Sequence, residues 1–92
     1  MKHEMTIGLN HQNGIDKIDR ELAIEAIGAK LQACTIFDAV GFWNGTRENS
    51  LRVEIYSDAD DLARLRRAAA ELCAELHQDC IIVDGDFITA NN

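Results

Sequence analysis

Within its 92 residues this chain spells strand, helix and strand twice over, and no linker-like composition separates the two units. The first unit covers residues 5–43 and the second residues 51–88. Met5, Ile7 and Leu9 alternate with Thr6, Gly8 and Asn10, the period-two pattern of a strand buried on one side. A polar loop ending in Asn13-Gly14 follows, and Asp19 is placed to cap a helix over 20–31. Its apolar stripe is Ala23, Ile24, Ile27 and Leu31, with Glu21, Glu25, Gly28 and Gln32 on the other side.

Residues 35–43 are rich in β-branched and aromatic types and predict a second strand. Asn44-Gly45 marks a two-residue hairpin turn into a third, with Leu51, Val53 and Ile55 on one face and Arg52, Glu54 and Tyr56 on the other. Ser57 or Asp58 is expected to cap a second helix reaching residue 77, with Asp60 and Asp61 near its positive end. Leu62, Leu65, Ala69, Leu72, Cys73 and Leu76 share its apolar face; Arg64, Arg67, Glu71, Glu75 and Gln78 share the opposite one. Residues 80–88 predict the last strand, with Ile81, Val83 and Phe87 in phase.

Two amphipathic helices between paired strands bury their stripes most simply on one face of a shared sheet. The expected fold is therefore α+β, a ferredoxin-like βαββαβ domain over residues 1–92 with a four-stranded antiparallel sheet and its first and third strands central. A two-residue turn at Asn44-Gly45 sets Val53 across from Ile36 and Leu51 across from Asp38. Ile36, Val40 and Phe42 then face the helices, while Phe37, Ala39 and Trp43 join the open face. That register turns Asp38 inward, an uncomfortable position for a carboxylate, which a bulge near 38–41 or a longer loop would relieve.

Sixteen acidic against nine basic residues give a formal charge of −7. Such a surface repels phosphates and anionic membranes and is steered toward a basic partner. Arg64, Arg66 and Arg67 are the only basic cluster, so direct nucleic-acid binding is not expected. No apolar run approaches the roughly 20 residues that span a bilayer, and residues 1–5 lack a signal-type apolar segment, which predicts a cytoplasmic location. Cys34, Cys73 and Cys80 are an odd number and read as reduced, packed thiols.

Cys73, His77 and Cys80 form the tightest group of soft ligands, but a fourth is missing and both cysteines are in phase with the buried stripe, so no metal is expected. Asp84-Gly85-Asp86 reads as a turn rather than a calcium loop. Nucleophile elbows, phosphate-cradling glycine loops and dinucleotide fingerprints are absent, and neither an enzyme nor a cofactor is expected. The positive candidate is a protein-binding surface. Trp43, Tyr56 and Phe37 are its anchors, Arg52 and Glu54 its rim, and Asp58, Asp60, Asp61, Glu71 and Glu75 its steering charges. Self-association through the same face is the third possibility.

The opening Met5-Thr6-Ile7-Gly8-Leu9-Asn10, with the Asn13-Gly14 turn and the helix after it, resembles small phage and mobile-element proteins. In size and acidity the chain is also similar to anti-CRISPR inhibitors. That resemblance implies an inhibitor that occupies a basic, nucleic-acid-handling surface, such as a bacterial defence ribonucleoprotein, and it assigns no residue a role. The rival expectation is a dimeric ferredoxin-like domain that binds or transforms a small molecule.

Overall fold

The computed structural model describes residues 2–10, 17–31, 33–57 and 61–90. The elements are β1 (Lys2–Gly8), α1 (Arg20–Leu31), β2 (Thr35–Trp43), β3 (Thr46–Tyr56), α2 (Leu62–Glu75), β4 (Ile81–Val83) and β5 (Asp86–Ile88). The α+β class is as expected, but the antiparallel sheet has five strands instead of four, in the order β2-β3-β1-β4-β5. Asp84 and Gly85 explain the difference. With φ of 48° and 88° they make a two-residue left-handed turn that splits the expected last strand into a hairpin. The turn also shifts the phase. Ile88 pairs with Ile81 and enters the core, whereas Phe87 pairs with Ile82 and lies exposed, contrary to its expected place beside Ile81 and Val83.

Local chemistry sets the helix ends. The Leu22 amide donates to Asp19 Oδ1 at 3.0 Å and the Ala23 amide to Asp19 O at 3.0 Å, so Asp19 caps α1 as read from the sequence. Helix α2 begins at Leu62, later than expected. Asp61 occupies the cap position without a side-chain cap bond, and its Oδ2 accepts from Arg64 Nη2 at 3.0 Å. Asp58 and Asp60 lie outside the described residues. At the other end His77 takes φ 53°, the Gln78 amide donates to Cys73 O at 3.0 Å and the His77 amide to Ala74 O at 3.3 Å. This is a Schellman turn, and it carries Gln78 inward instead of leaving it on the polar face. Gln78 is buried, and its Nε2 donates to Asn10 O.

Ala23, Ile27 and Leu31 of α1 and Leu65, Ala69, Leu72 and Cys73 of α2 pack with Met5, Ile7, Leu51, Val53, Ile55, Ile81, Val83 and Ile88 of the sheet. Lys30 ties the helices together, its Nζ 2.8 Å from Glu71 Oε2 and 2.9 Å from Glu75 Oε1. The β2–β3 register is the expected one, Ile36 against Val53 and Asp38 against Leu51, closed by Asn44 (φ 51°) and Gly45 (φ 79°). No bulge interrupts it. Asp38 is relieved differently: it lies exposed and accepts from Arg20 Nε at 2.7 Å. Val40 and Phe42, expected against the helices, are 55% and 73% exposed, because the hairpin runs on past the helices that would cover them.

One polar group enters the core side of the sheet. His3, 3% exposed, sits 2.6 Å from Asp84 Oδ2 through Nδ1, and the Glu4 amide donates to Asp84 Oδ1 at 2.8 Å. The His3 Nε2 is buried without a partner among the described residues. Partial burial raises the Asp84 pKa, but the bonds from His3 and the Glu4 backbone outweigh it and hold the carboxyl below its ordinary value of 3.8.

A carboxylate whose folded pKa is depressed adds stability above its unfolded pKa and loses it as pH falls through the folded value. Asp84→Asn keeps a residue that tolerates the left-handed turn but removes the charge. It should lower the urea midpoint at pH 7, and the gap from the parent should narrow progressively as the pH falls below about 4, the ordinary carboxylate range. A gap of equal size at pH 3 and pH 7 would show that the charge is irrelevant. Leu72→Ala, at a fully buried site, should cost about 2–5 kcal/mol in the same measurement.

Candidate functional site

Strand β1 ends at Gly8, opposite Ser50, while the β2–β3 hairpin continues to Trp43 and Thr46. Beyond that point Leu9 still donates its amide to Asn49 O at 2.9 Å, and the returning chain is held by Ile18 N to Leu9 O at 2.7 Å. Between the hairpin arm and the approach to α1 lies a cleft of about 570 Å³. Leu9, Ile18 and Ala39 give it apolar walls, and Asn10, Asn49 and Ser50 give it neutral polar groups. Lys17, Arg20 and Arg47 bring cationic side chains, and Asp38 and Glu48 bring carboxylates.

Glu48 is the most closely positioned of these groups. Its carboxylate rests on Gly8, where a Cβ would fall 2.4 Å from Oε1, and Oε2 accepts from the Asn10 amide at 3.2 Å. Only glycine leaves room for that approach. Arg20 bridges Asp38 and Glu21, at 2.7 and 3.0 Å, and the hydrogen bond to Asp38 leads the causes that raise its pKa. The Lys17 ammonium donates to Asn10 Oδ1 at 2.8 Å. The result is a cleft with both signs of charge above an apolar wall, suited to a small molecule that is itself part apolar and part zwitterionic. Sequence reading missed Glu48. The available signal was Gly8 inside a strand, which marks a close approach by another group.

The anchors and charges named from the sequence are dispersed. Phe37, on the open face, and Tyr56, at the end of β3, are exposed. Arg52 pairs with Glu4, and Glu54 accepts from Lys2 Nζ at 3.4 Å. Trp43 contacts Phe87 edge-on, with ring centroids 5.9 Å apart at 74°, and its Nε1 donates to Asp79 Oδ2 at 3.3 Å. Because β2 and β5 are opposite edges, this contact shows that the hairpin arm curls over the open face. Glu71 and Glu75 meet at Lys30, and a hydrogen bond from Lys30 holds the Glu71 carboxyl below the usual range.

Cys73, His77 and Cys80 do not converge. The Cys73 thiol is buried and donates to Gln78 O at 3.2 Å, and among the described residues no three His, Cys, Asp or Glu side chains are grouped to hold a metal. Asp84 and Asp86 diverge as well, the first to His3 and the second to Arg66 Nη1 at 2.8 Å. Burial raises the thiol pKa at Cys34, Cys73 and Cys80, and at Cys80 the nearby Asp79 and Glu48 raise it further, so none is an activated nucleophile. Among the described residues no helix is long and apolar enough to cross a membrane.

No family model and no curated protein matches the chain in sequence. A solved structure shares the α+β fold: a phage SAM lyase in its apo state, with TM-score 0.75 and 19% identity, covering 94% of this chain and 82% of that one. The likeness is to a phage protein, as the opening residues suggested, and it brings no anti-CRISPR character. It overturns the expectation of a chain that is not an enzyme, since the shared fold is that of an enzyme.

Proposed function

We propose that this chain is a phage-type enzyme that cleaves S-adenosylmethionine, with the cleft at Glu48 as its substrate site. The observation that carries the reading is the fold shared with a SAM lyase across 94% of the chain. The cleft supports it chemically. S-adenosylmethionine combines an aromatic base and a ribose with a sulfonium cation and a zwitterionic amino-acid end. Leu9, Ile18 and Ala39 suit the base, Lys17 and Arg47 the substrate carboxylate, and Glu48 the sulfonium. We also read β2-β3-β1-β4 as a ferredoxin-like core to which β5 is appended.

A lyase breaks its bond without water or an external oxidant. When a carbon–sulfur bond opens, its electron pair moves to sulfur, and the cation departs as a neutral thioether. The carbon is satisfied within the substrate, whose own carboxylate oxygen bonds to it and closes a cyclic ester as the thioether leaves. Glu48 holds a charge that the reaction discharges, so its role is to place the sulfonium.

Purified protein incubated with S-adenosylmethionine should deplete it faster than buffer alone and release a neutral thioether, followed by liquid chromatography. Depletion no faster than buffer, from folded protein at micromolar concentration, would sink the proposal. A contact between charged groups contributes about 1.5–3 kcal/mol, so Glu48→Gln should lower kcat/KM by roughly ten- to a hundredfold. Gly8→Ala tests placement alone. The added methyl displaces a flexible carboxylate, not backbone, and alanine suits a strand better than glycine, so the thermal midpoint should hold or rise while kcat/KM falls as it does for Glu48→Gln.

A further inference from the structure

Gln78 is a polar side chain that helical periodicity places outside and the structure places inside. It is 6% exposed, at the end of the Schellman turn that follows α2. The turn that brings it inward uses His77 at φ 53°, a conformation unfavourable for a residue with a Cβ. Buried polar groups need partners. The Gln78 backbone amide donates to Cys73 O at 3.0 Å, and its carbonyl accepts from Cys73 Sγ at 3.2 Å. Its side-chain nitrogen faces two carbonyl oxygens, that of Asn10 and, at 3.5 Å, that of Leu76. Only an N–H group satisfies such acceptors, so a side chain of the same shape without a donor cannot replace it.

Asn10, the residue that Gln78 reaches, is where the cleft is tied together. Its amide donates to Glu48 Oε2 at 3.2 Å, and its Oδ1 accepts from Lys17 Nζ at 2.8 Å. Its backbone also forms an isolated antiparallel bridge with Lys17. One residue therefore touches an anion through its amide, a cation through its side chain and Gln78 through its carbonyl. Gly8 gives the Glu48 carboxylate room to lie close, and Asn10 gives it a direction.

We infer that Gln78 is a positioning residue for the cleft. By holding the Asn10 carbonyl it fixes the Asn10 backbone, and with it the spacing between the Glu48 carboxylate and the Lys17 ammonium. Its role in catalysis rests on the lyase reading, in which Glu48 meets the sulfonium and Lys17 the substrate carboxylate. There the carboxylate closes on a carbon beside the sulfonium, so the spacing of the two charged ends enters the chemical step itself. Loss of the Gln78 bond should then lower kcat more than it raises KM.

Gln78→Met keeps length and bulk and removes the donor. The Asn10 amide, followed by NMR, reads the strut without any reaction. Glu48→Gln should shift its proton resonance in the parent, and the shift should be less than half as large once Gln78→Met is present. In turnover of S-adenosylmethionine by folded protein, Gln78→Met should lower kcat/KM about tenfold, mostly in kcat, and only about twofold when combined with Glu48→Gln. Ile88→Val, a truncation at a fully buried site on β5, loses stability without touching Asn10 and should leave kcat/KM within about twofold of the parent. Should Gln78→Met fail to fold, Gln78→Asn, whose amide falls a methylene short, is judged by the same criteria. A parent that leaves S-adenosylmethionine intact sinks the lyase reading but not the strut, which the Asn10 resonance then decides. An Asn10 amide that responds equally to Glu48→Gln with and without Gln78 would overturn the inference. So would parental kcat/KM in folded Gln78→Met, or a loss of the same size whether or not Glu48 is replaced.

Discussion

Seven residue pairs bind β1 to β3, from Lys2 against Tyr56 to Gly8 against Ser50, and the place where this ladder stops governs what lies beyond it. Inside the ladder, strict alternation sends Met5, Ile7, Leu51, Val53 and Ile55 into one core, and the register cannot slip by one residue without reversing both faces. Past Gly8 the regular ladder ends, and among the described residues only the Leu9 and Asn10 amides still reach the hairpin. The hairpin becomes an arm, free to curl until Trp43 reaches Phe87, and the space it leaves beside the approach to α1 is the cleft. The cleft and the exposed arm have the same origin, a hairpin longer than the strand it is built on.

Gly8 sits at that boundary and links fold to site. A side chain there would still fit the ladder, but it would occupy the place of the Glu48 carboxylate. Glycine in a strand interior weakens the strand, by roughly 0.5–1 kcal/mol relative to alanine. A site that accepts such a loss for one well-placed charge concentrates its chemistry where the core ends, and the buried residues remain free to be purely apolar.

Much of the architecture was legible because local chemistry decides it. Asp19 caps α1, Asn44-Gly45 turns the hairpin, and the alternation of β1 and β3 sets their shared register. The failures lie where coverage, not pattern, matters. Helix α1 has 12 residues and is about 18 Å long at 1.5 Å each. The 11 residues of β3 extend over about 36 Å at 3.3 Å each, so a helix covers only part of the hairpin, and Val40 and Phe42 fall in the uncovered part. Gln78 was misplaced for a different reason. A Schellman turn rotates the chain at His77, and helical periodicity does not continue through a left-handed residue. Glu48 was invisible because its meaning depends on Gly8, forty residues away and across a strand pair. In the function proposed above, the absence of familiar catalytic motifs is no guide to enzymatic character, since a site that places a preformed cation needs neither nucleophile nor metal.

Net charge is a coarse guide for a related reason. A value of −7 describes the whole surface, and its sign invites a basic macromolecular partner, but the charges are not evenly disposed. Of the nine basic residues, Lys17, Arg20 and Arg47 line the cleft, while Lys2, Lys30, Arg52, Arg64 and Arg66 are each tied to carboxylates elsewhere. Glu71 and Glu75, on the acidic helix face, converge on Lys30. These exposed pairs contribute little to stability individually, but together they neutralise much of the outer surface locally. What remains distinctive is a mixed-charge cleft in an acidic shell. In the function proposed above, the shell would draw a cationic small molecule toward the protein, and the cleft would hold both the cation and the carboxylate that such a molecule carries.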